Sequence, residues 1–231
     1  VEWQQNFVLQ QYFVETTARC FHKSQLFQSN EINLPLARRL NNQLPGTLTT
    51  MGAGMEKISR IDPERADEKV RALLEDVHDR LGMVPNAMKV MANAPAVLRM
   101  ALESERILNE GLLAPRLREQ IALAVSEFNG SRYCISAHTA LAGIAGLSEE
   151  EIEDARSGTS PDRRTESALV FARELVEKRG AIDKGRIDEM RRTGWQDGEI
   201  VEIIVHAALT TMFNYLNRAA GTEHDFPDPV P

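Results

Sequence analysis

Cys134 and His138 are four residues apart and so are neighbours on one face of any helix that contains both. Ser131 precedes the cysteine by three residues and falls on the same side, and Leu141 and Ala145 continue that face, so thiol and imidazole are expected to look inward. With Ser131 as N-cap of a helix from Arg132 to Ala145, Cys134 falls in the first turn, where unpaired backbone N–H groups favour an anion. The imidazole adds a proton acceptor. These conditions turn a thiol into a nucleophilic thiolate, while burial opposes them by disfavouring charge.

Glu119 supplies a third element. In the preceding helix Leu117, Ile121, Ala124, Val125 and Phe128 make the main apolar face, and Glu119 points roughly opposite. Its companions there, Ala122, Leu123 and Ser126, are small or apolar, so a semi-buried carboxylate in need of a partner is expected, with His138 as the candidate. The residues alone leave a plainer alternative open: Cys134 as a small core hydrophobe, His138 as a satisfied core histidine and Glu119 as a surface ion-pair member. Glu202 and His206 are also four apart, a pair more often structural than catalytic. No His-Glu-x-x-His, no intact Cys-x-x-Cys and no glycine-rich phosphate loop occurs, so no metal site and no cofactor are expected.

The elements that must position these side chains all read as helices. Asp62-Pro63-Glu64 has the form of a helix start, and Val70, Leu73, Leu74, Val77 and Leu81 recur at helical spacing up to Gly82. Helices follow over Asn86 to Ala92, Pro95 to Glu110, Pro115 to Phe128 and Arg132 to Ala145, with Asn129-Gly130 as a stop. Ser148-Glu-Glu-Glu151 is a capping box for a helix ending at Gly158. Arg163 to Arg179, Lys184 to Arg192 and Asp197 to Ala220 complete the set. No stretch alternates with period two, so the expected class is all-α.

Residues 1–54 differ in kind. They hold seven of the nine glutamines and only seven charges, and Gly52-Ala-Gly54 separates them from Met55-Glu-Lys-Ile. They read as an N-terminal extension, appended or translated from upstream, and residues 55–231 as the working domain. A net charge of −7 argues against nucleic-acid binding, and no apolar run approaches a membrane span. Val1 to Val14 carries five Gln or Asn residues with no cleavage site after them, so no secretory leader is expected. Two cysteines, Cys20 and Cys134, suit a reducing, cytoplasmic setting.

Glu119, eleven residues, Ser131-Arg-Tyr-Cys134, three residues, His138 resembles the signature of the carboxymuconolactone decarboxylase and alkylhydroperoxidase AhpD superfamily everywhere except at the first motif cysteine. Asn129-Gly130, Tyr133, Phe213-Asn-Tyr-Leu-Asn217 and Thr222-Glu-His-Asp-Phe-Pro227 are similar to its peroxidase-related AhpD-like subgroup. The resemblance covers roughly residues 56–228. It implies a multi-helix orthogonal bundle assembled as a homo-oligomer, commonly a trimer or hexamer, with active sites near subunit contacts. It also implies Cys134 as peroxidatic thiol, Glu119 and His138 as proton relay, and Tyr133 in a supporting place. Ser131 stands where the resolving cysteine belongs.

A serine cannot close a disulfide, so oxidised Cys134 would need an external thiol reductant. The leading expectation is a thiol-dependent hydroperoxide reductase acting on a small peroxide. The alternatives are a decarboxylase-like acid/base enzyme on a small lactone or carboxylate, and a catalytically silent oligomeric helical protein. Because residues 1–54 hold none of the motif residues, a chain beginning at Met55 should fold with unchanged helical content, checked by circular dichroism. Loss of soluble protein on that truncation would contradict the boundary.

Overall fold

Side chains that accept hydrogen bonds stand immediately ahead of apolar runs of helical period, and they start most of the elements. The computed structural model describes residues 57–227. Among the described residues there are a short 3-10 turn, Pro63–Arg65, nine α-helices and no strand, as the sequence predicts. The helices are α1 (Glu68–Leu81), α2 (Asn86–Met91), α3 (Pro95–Asn109), α4 (Pro115–Phe128), α5 (Arg132–Ile144), α6 (Glu149–Ser157), α7 (Arg163–Glu177), α8 (Lys184–Arg192) and α9 (Asp197–Ala220). Asp67, Asp162 and Asp183 each accept from the backbone N–H three residues on, at the starts of α1, α7 and α8. Ser148 and Glu151 close the expected capping box of α6. Pro95 and Pro115 lead α3 and α4, where no N–H is required.

Two local readings need correction. The helix expected to open at Asp62-Pro63-Glu64 opens later: Asp62 caps only the 3-10 turn, Ala66 is extended (φ −66°, ψ 151°), and Asp67 caps α1. An aspartate that bonds the backbone ahead of it starts a helix more readily than it continues one. Ser131 occupies the N-cap position of α5, but its hydroxyl makes no capping bond. The boundary near residue 55 and the extension over residues 1–54 lie outside the described residues.

Packing produces two apolar clusters. In the larger, α4 lies among α5, α6, α7 and α9, and Ile121, Leu123, Phe171 and Ile203 are fully buried. Truncating such a side chain to alanine costs about 2–5 kcal/mol. The smaller cluster joins α1, α2 and α3 through Val70, Leu74, Val77 and Leu98, and it includes Tyr133 and Cys134 of α5. Phe213 and Phe226 pack against it. The first turn of α5 therefore belongs to the α1–α3 cluster, while Ala142 near its other end belongs to the α4 cluster.

No helix among the described residues is long and apolar enough to cross a membrane. The outer side of α9 is nonetheless apolar: Val201, Val205 and Tyr215 are 58%, 38% and 57% exposed, at a spacing that keeps them on one side. Leu112, 64% exposed, approaches the start of α9, where Gly198 leaves no Cβ in its way. Contiguous apolar surface of this kind marks association. Light scattering at micromolar concentration is expected to give a homo-oligomer, and Val201→Glu with Val205→Glu should shift it towards the monomer. A wild-type monomer would contradict this.

Candidate active site

Cys134 sits at the third position of α5, 4% exposed, with its sulfur turned towards α9. There Asn217 donates Nδ2–H to Sγ at 3.3 Å. The same amide accepts at Oδ1 from Thr222 Oγ at 2.9 Å, so its orientation is fixed from both ends. One turn earlier Asn214 accepts from Asn129 Nδ2 at 2.9 Å and donates to Ser126 Oγ at 3.0 Å. These two buried amides hold α9 against the α4–α5 turn, where Gly130 takes the positive φ of 63° that reverses the chain.

Glu119 and His138 meet as the spacing predicts. Oε2 of Glu119 lies 2.8 Å from Nδ1 of His138, and the two side chains are 22% and 27% exposed. With Nδ1 committed to the carboxylate, Nε2 is the ring nitrogen left for chemistry. Cys134, Glu119 and His138 all line one cavity of about 260 Å³ beside the smaller cluster. Its walls are largely apolar, with Met83, Met88, Met91, Leu209, Phe213 and Phe226 among them. Ser131 behaves differently from expectation: it is fully buried, and its Oγ has no hydrogen-bond partner among the described residues. Its backbone nevertheless fixes the turn, donating to Ser126 O at 3.0 Å.

Tyr133 supports the site from the other side. Its hydroxyl donates to Asp225 Oδ1 at 2.9 Å and accepts from the Ala87 backbone N–H at 3.1 Å. Asp225 Oδ2 accepts in turn from Asn86 N at 2.6 Å. Burial, and next the neighbouring Asp225 charge, raise the Tyr133 phenol above its ordinary value. Burial raises the Asp225 carboxyl, opposed by the Asn86 and Tyr133 hydrogen bonds. The tie matters because Phe226, adjacent to Asp225, forms part of the cavity wall.

Five contributors were not recognised as site residues from sequence: Asn217, Asp225, Glu105, Arg118 and His206. The last three line the cavity beside Glu119 and His138. Glu105 lies at the mouth of the cavity, exposed to solvent, and the protein atoms packed around it bias its carboxyl above the usual carboxylate value. His206 does not pair with Glu202. Glu202 instead accepts from the backbone N–H groups of Leu112 and Leu113, at 2.8 and 3.1 Å, and fixes the loop before α4. His206 turns to the cavity, half-buried, with Nε2 unpartnered. A histidine four residues after a glutamate on an apolar helix was the available signal, but its partner was misjudged.

This arrangement defines a class: an all-helical protein with a buried thiol and a carboxylate–imidazole pair on one largely apolar cavity. The sequence profile of the carboxymuconolactone decarboxylase family matches residues 95–178. The fold is similar to the AhpD core of an uncharacterized peroxidase-related protein from Ralstonia eutropha (21% identity, TM-score 0.68, covering 73% of this chain and 92% of that one). It is also similar to an uncharacterized peroxidase-related protein from a Silicibacter species (26% identity, TM-score 0.63, 74% and 95%) and to the debrominase Bmp8 (19% identity, TM-score 0.62, 73% and 91%). No curated protein matches significantly. Residues 95–178 thus carry the sequence pattern of the carboxymuconolactone decarboxylase family, within a fold similar to that of AhpD-like proteins.

Burial, and next the nearby Arg118 charge, hold His206 below the ordinary histidine value. Unfolded His206 takes up its proton near a pH of about 6.5, whereas folded His206 resists until lower pH. Stability should therefore fall as pH drops through that window. Urea midpoints measured from pH 8 to pH 5 are expected to fall less steeply in His206→Gln than in wild type. Identical slopes would contradict the assignment.

Proposed function

We propose that the protein is a thiol-dependent organic hydroperoxide reductase with Cys134 as the peroxidatic cysteine. The observation that carries this reading is the Asn217 N–H held against Cys134 Sγ, in a cavity that also presents the Glu119–His138 pair. A fold shared with a debrominase serves more than one chemistry, so the argument rests on these residues.

His138, oriented by Glu119, takes the thiol proton, and the thiolate attacks the terminal oxygen of the hydroperoxide. The S–O bond forms, the O–O bond breaks, and the departing alkoxide takes the proton back from His138. The products are an alcohol and Cys134 sulfenic acid. Ser131 has no thiol with which to condense, so an external thiol attacks the sulfenate sulfur and releases water. A second equivalent of thiol frees Cys134 from the mixed disulfide. The apolar walls favour an organic hydroperoxide over hydrogen peroxide, which is small and fully hydrated. No covalently held cofactor enters these steps.

One observation favours a second reading, acid/base catalysis on a small lactone or carboxylate. Glu105 lines the same cavity as the Glu119–His138 pair, so a second carboxyl is available there for proton transfer without help from the thiol.

Cumene hydroperoxide with dithiothreitol separates the two. Wild type is expected to consume peroxide, Cys134→Ser to lose turnover, and Glu119→Gln to lose about a hundredfold or more. Ser131→Cys should raise turnover by supplying the internal disulfide. Undiminished turnover in Cys134→Ser would overturn the peroxidase reading.

A further inference from the structure

The cavity has a second polar end. Along α9 its lining residues recur as His206, Leu209, Thr210, Phe213 and Asn217, one stripe of the helix facing a single space. His206 and Asn217 are eleven residues apart, so roughly 16 Å of helix separates the level of the imidazole from that of the amide on sulfur. Between them the stripe is apolar except for Thr210.

At the His206 end two groups lack the partners that their surroundings demand. Nε2 of His206 is buried without a hydrogen bond among the described residues, and a buried polar atom in that state calls for a ligand or water atom to complete it. Arg118 donates Nη1 to Leu108 O at 2.8 Å but forms no ion pair among the described residues, although it lines the cavity. Neither of the two carboxylates nearby is ion-paired with it. Glu119 is engaged with His138 at 2.8 Å. Glu105, the other, is exposed to solvent and makes no hydrogen bond or ion pair among the described residues.

We propose that Arg118 and His206 form an anion subsite that binds a carboxylate on the substrate, at the end of the cavity remote from Cys134. The substrate class is then an amphipathic organic hydroperoxide, with an apolar body of medium length that separates a peroxide group at the sulfur from a carboxylate at Arg118 and His206. A cavity of about 260 Å³ has room for a molecule of that size. The planar guanidinium can hold both carboxylate oxygens, and the His206 ring supplies a further N–H where it otherwise has no partner. This inference rests on the cavity being the substrate site. The hydroperoxide half of the substrate rests on the proposed function, whereas the anion subsite does not.

Inert probes test it in protein that cannot turn over. Octanoate and 1-octanol differ only at the head group, and their binding to the Cys134→Ser protein can be compared by calorimetry at pH 7.5. Octanoate is expected to bind the more tightly. Arg118→Gln and His206→Leu should each reduce that preference by about tenfold or more, with His206→Gln, which keeps an N–H donor, retaining part of it. In the unsubstituted protein, octanoate but not 1-octanol should raise the pH at which the His206 imidazole titrates by NMR, a readout that needs no variant to fold. Equal binding of the two probes, binding of neither, or a preference that survives in both Arg118→Gln and His206→Leu would overturn the subsite. A cavity that prefers octanoate in a protein inert towards hydroperoxides would leave the subsite standing and remove the peroxidase reading instead.

Discussion

Asn217 is where the separate parts of the site are joined. Its buried amide donates to Cys134 Sγ and accepts from Thr222 Oγ, so one side chain couples the first turn of α5, the end of α9 and the segment that follows. Leaving either end of such an amide unpaired costs about 1–3 kcal/mol, comparable to losing a buried aliphatic group. Asn214, fully buried and bonded to Ser126 and Asn129, sets the same register one turn away. A slip of one residue in α9 would rotate both amides by about 100° and orphan four hydrogen-bonding atoms. The register of α9 is therefore fixed by polar contacts where apolar packing alone would tolerate small shifts.

That constraint shapes the cavity. Once α9 is fixed against the α4–α5 turn, its stripe from His206 to Asn217 lines the cavity together with residues of α3 and α5. The C-terminal segment completes the wall because Asp225 is held by Tyr133 and by the Asn86 backbone, which carries Phe226 into place. Arg60 and Glu223, paired at 2.7 Å, and the Lys57 and Ile58 N–H groups on Ala220 O tie both ends of the described residues together there. The sulfur thus lies under a lid of its own chain, reached through a cavity whose polar groups are few and specific.

Most helix limits were legible because the signals are local: an acceptor ahead of an apolar run, a proline at its head, a glycine after it. The Glu119–His138 contact was legible because a semi-buried carboxylate needs a partner and the helix period offered one. The start of α1 was misplaced because Asp62 and Asp67 are both competent caps, and only the extended Ala66 between them decides which is used. Ser131 was read as a cap from its position, but its hydroxyl is fully buried and makes no bond. Asn217 and Asp225, quoted only within motifs of the resemblance, and Arg118 were given no role for a different reason. Their roles come from contacts 83 and 92 residues away in sequence, or from a cavity wall that exists only once α3, α4 and α9 have packed. No local pattern distinguishes an asparagine that will meet a sulfur from one that caps a turn.

The central claim is that this protein presents Cys134 to peroxide as a solitary, hydrogen-bonded thiol. Mass spectrometry of the intact chain after stoichiometric cumene hydroperoxide and dimedone tests it most directly. A single adduct is expected at Cys134, persistent in the absence of added thiol, abolished by thiol added before dimedone, and strongly reduced in Asn217→Leu. Cys134 that remains unmodified in wild type, or an adduct of undiminished yield in Asn217→Leu, would contradict it.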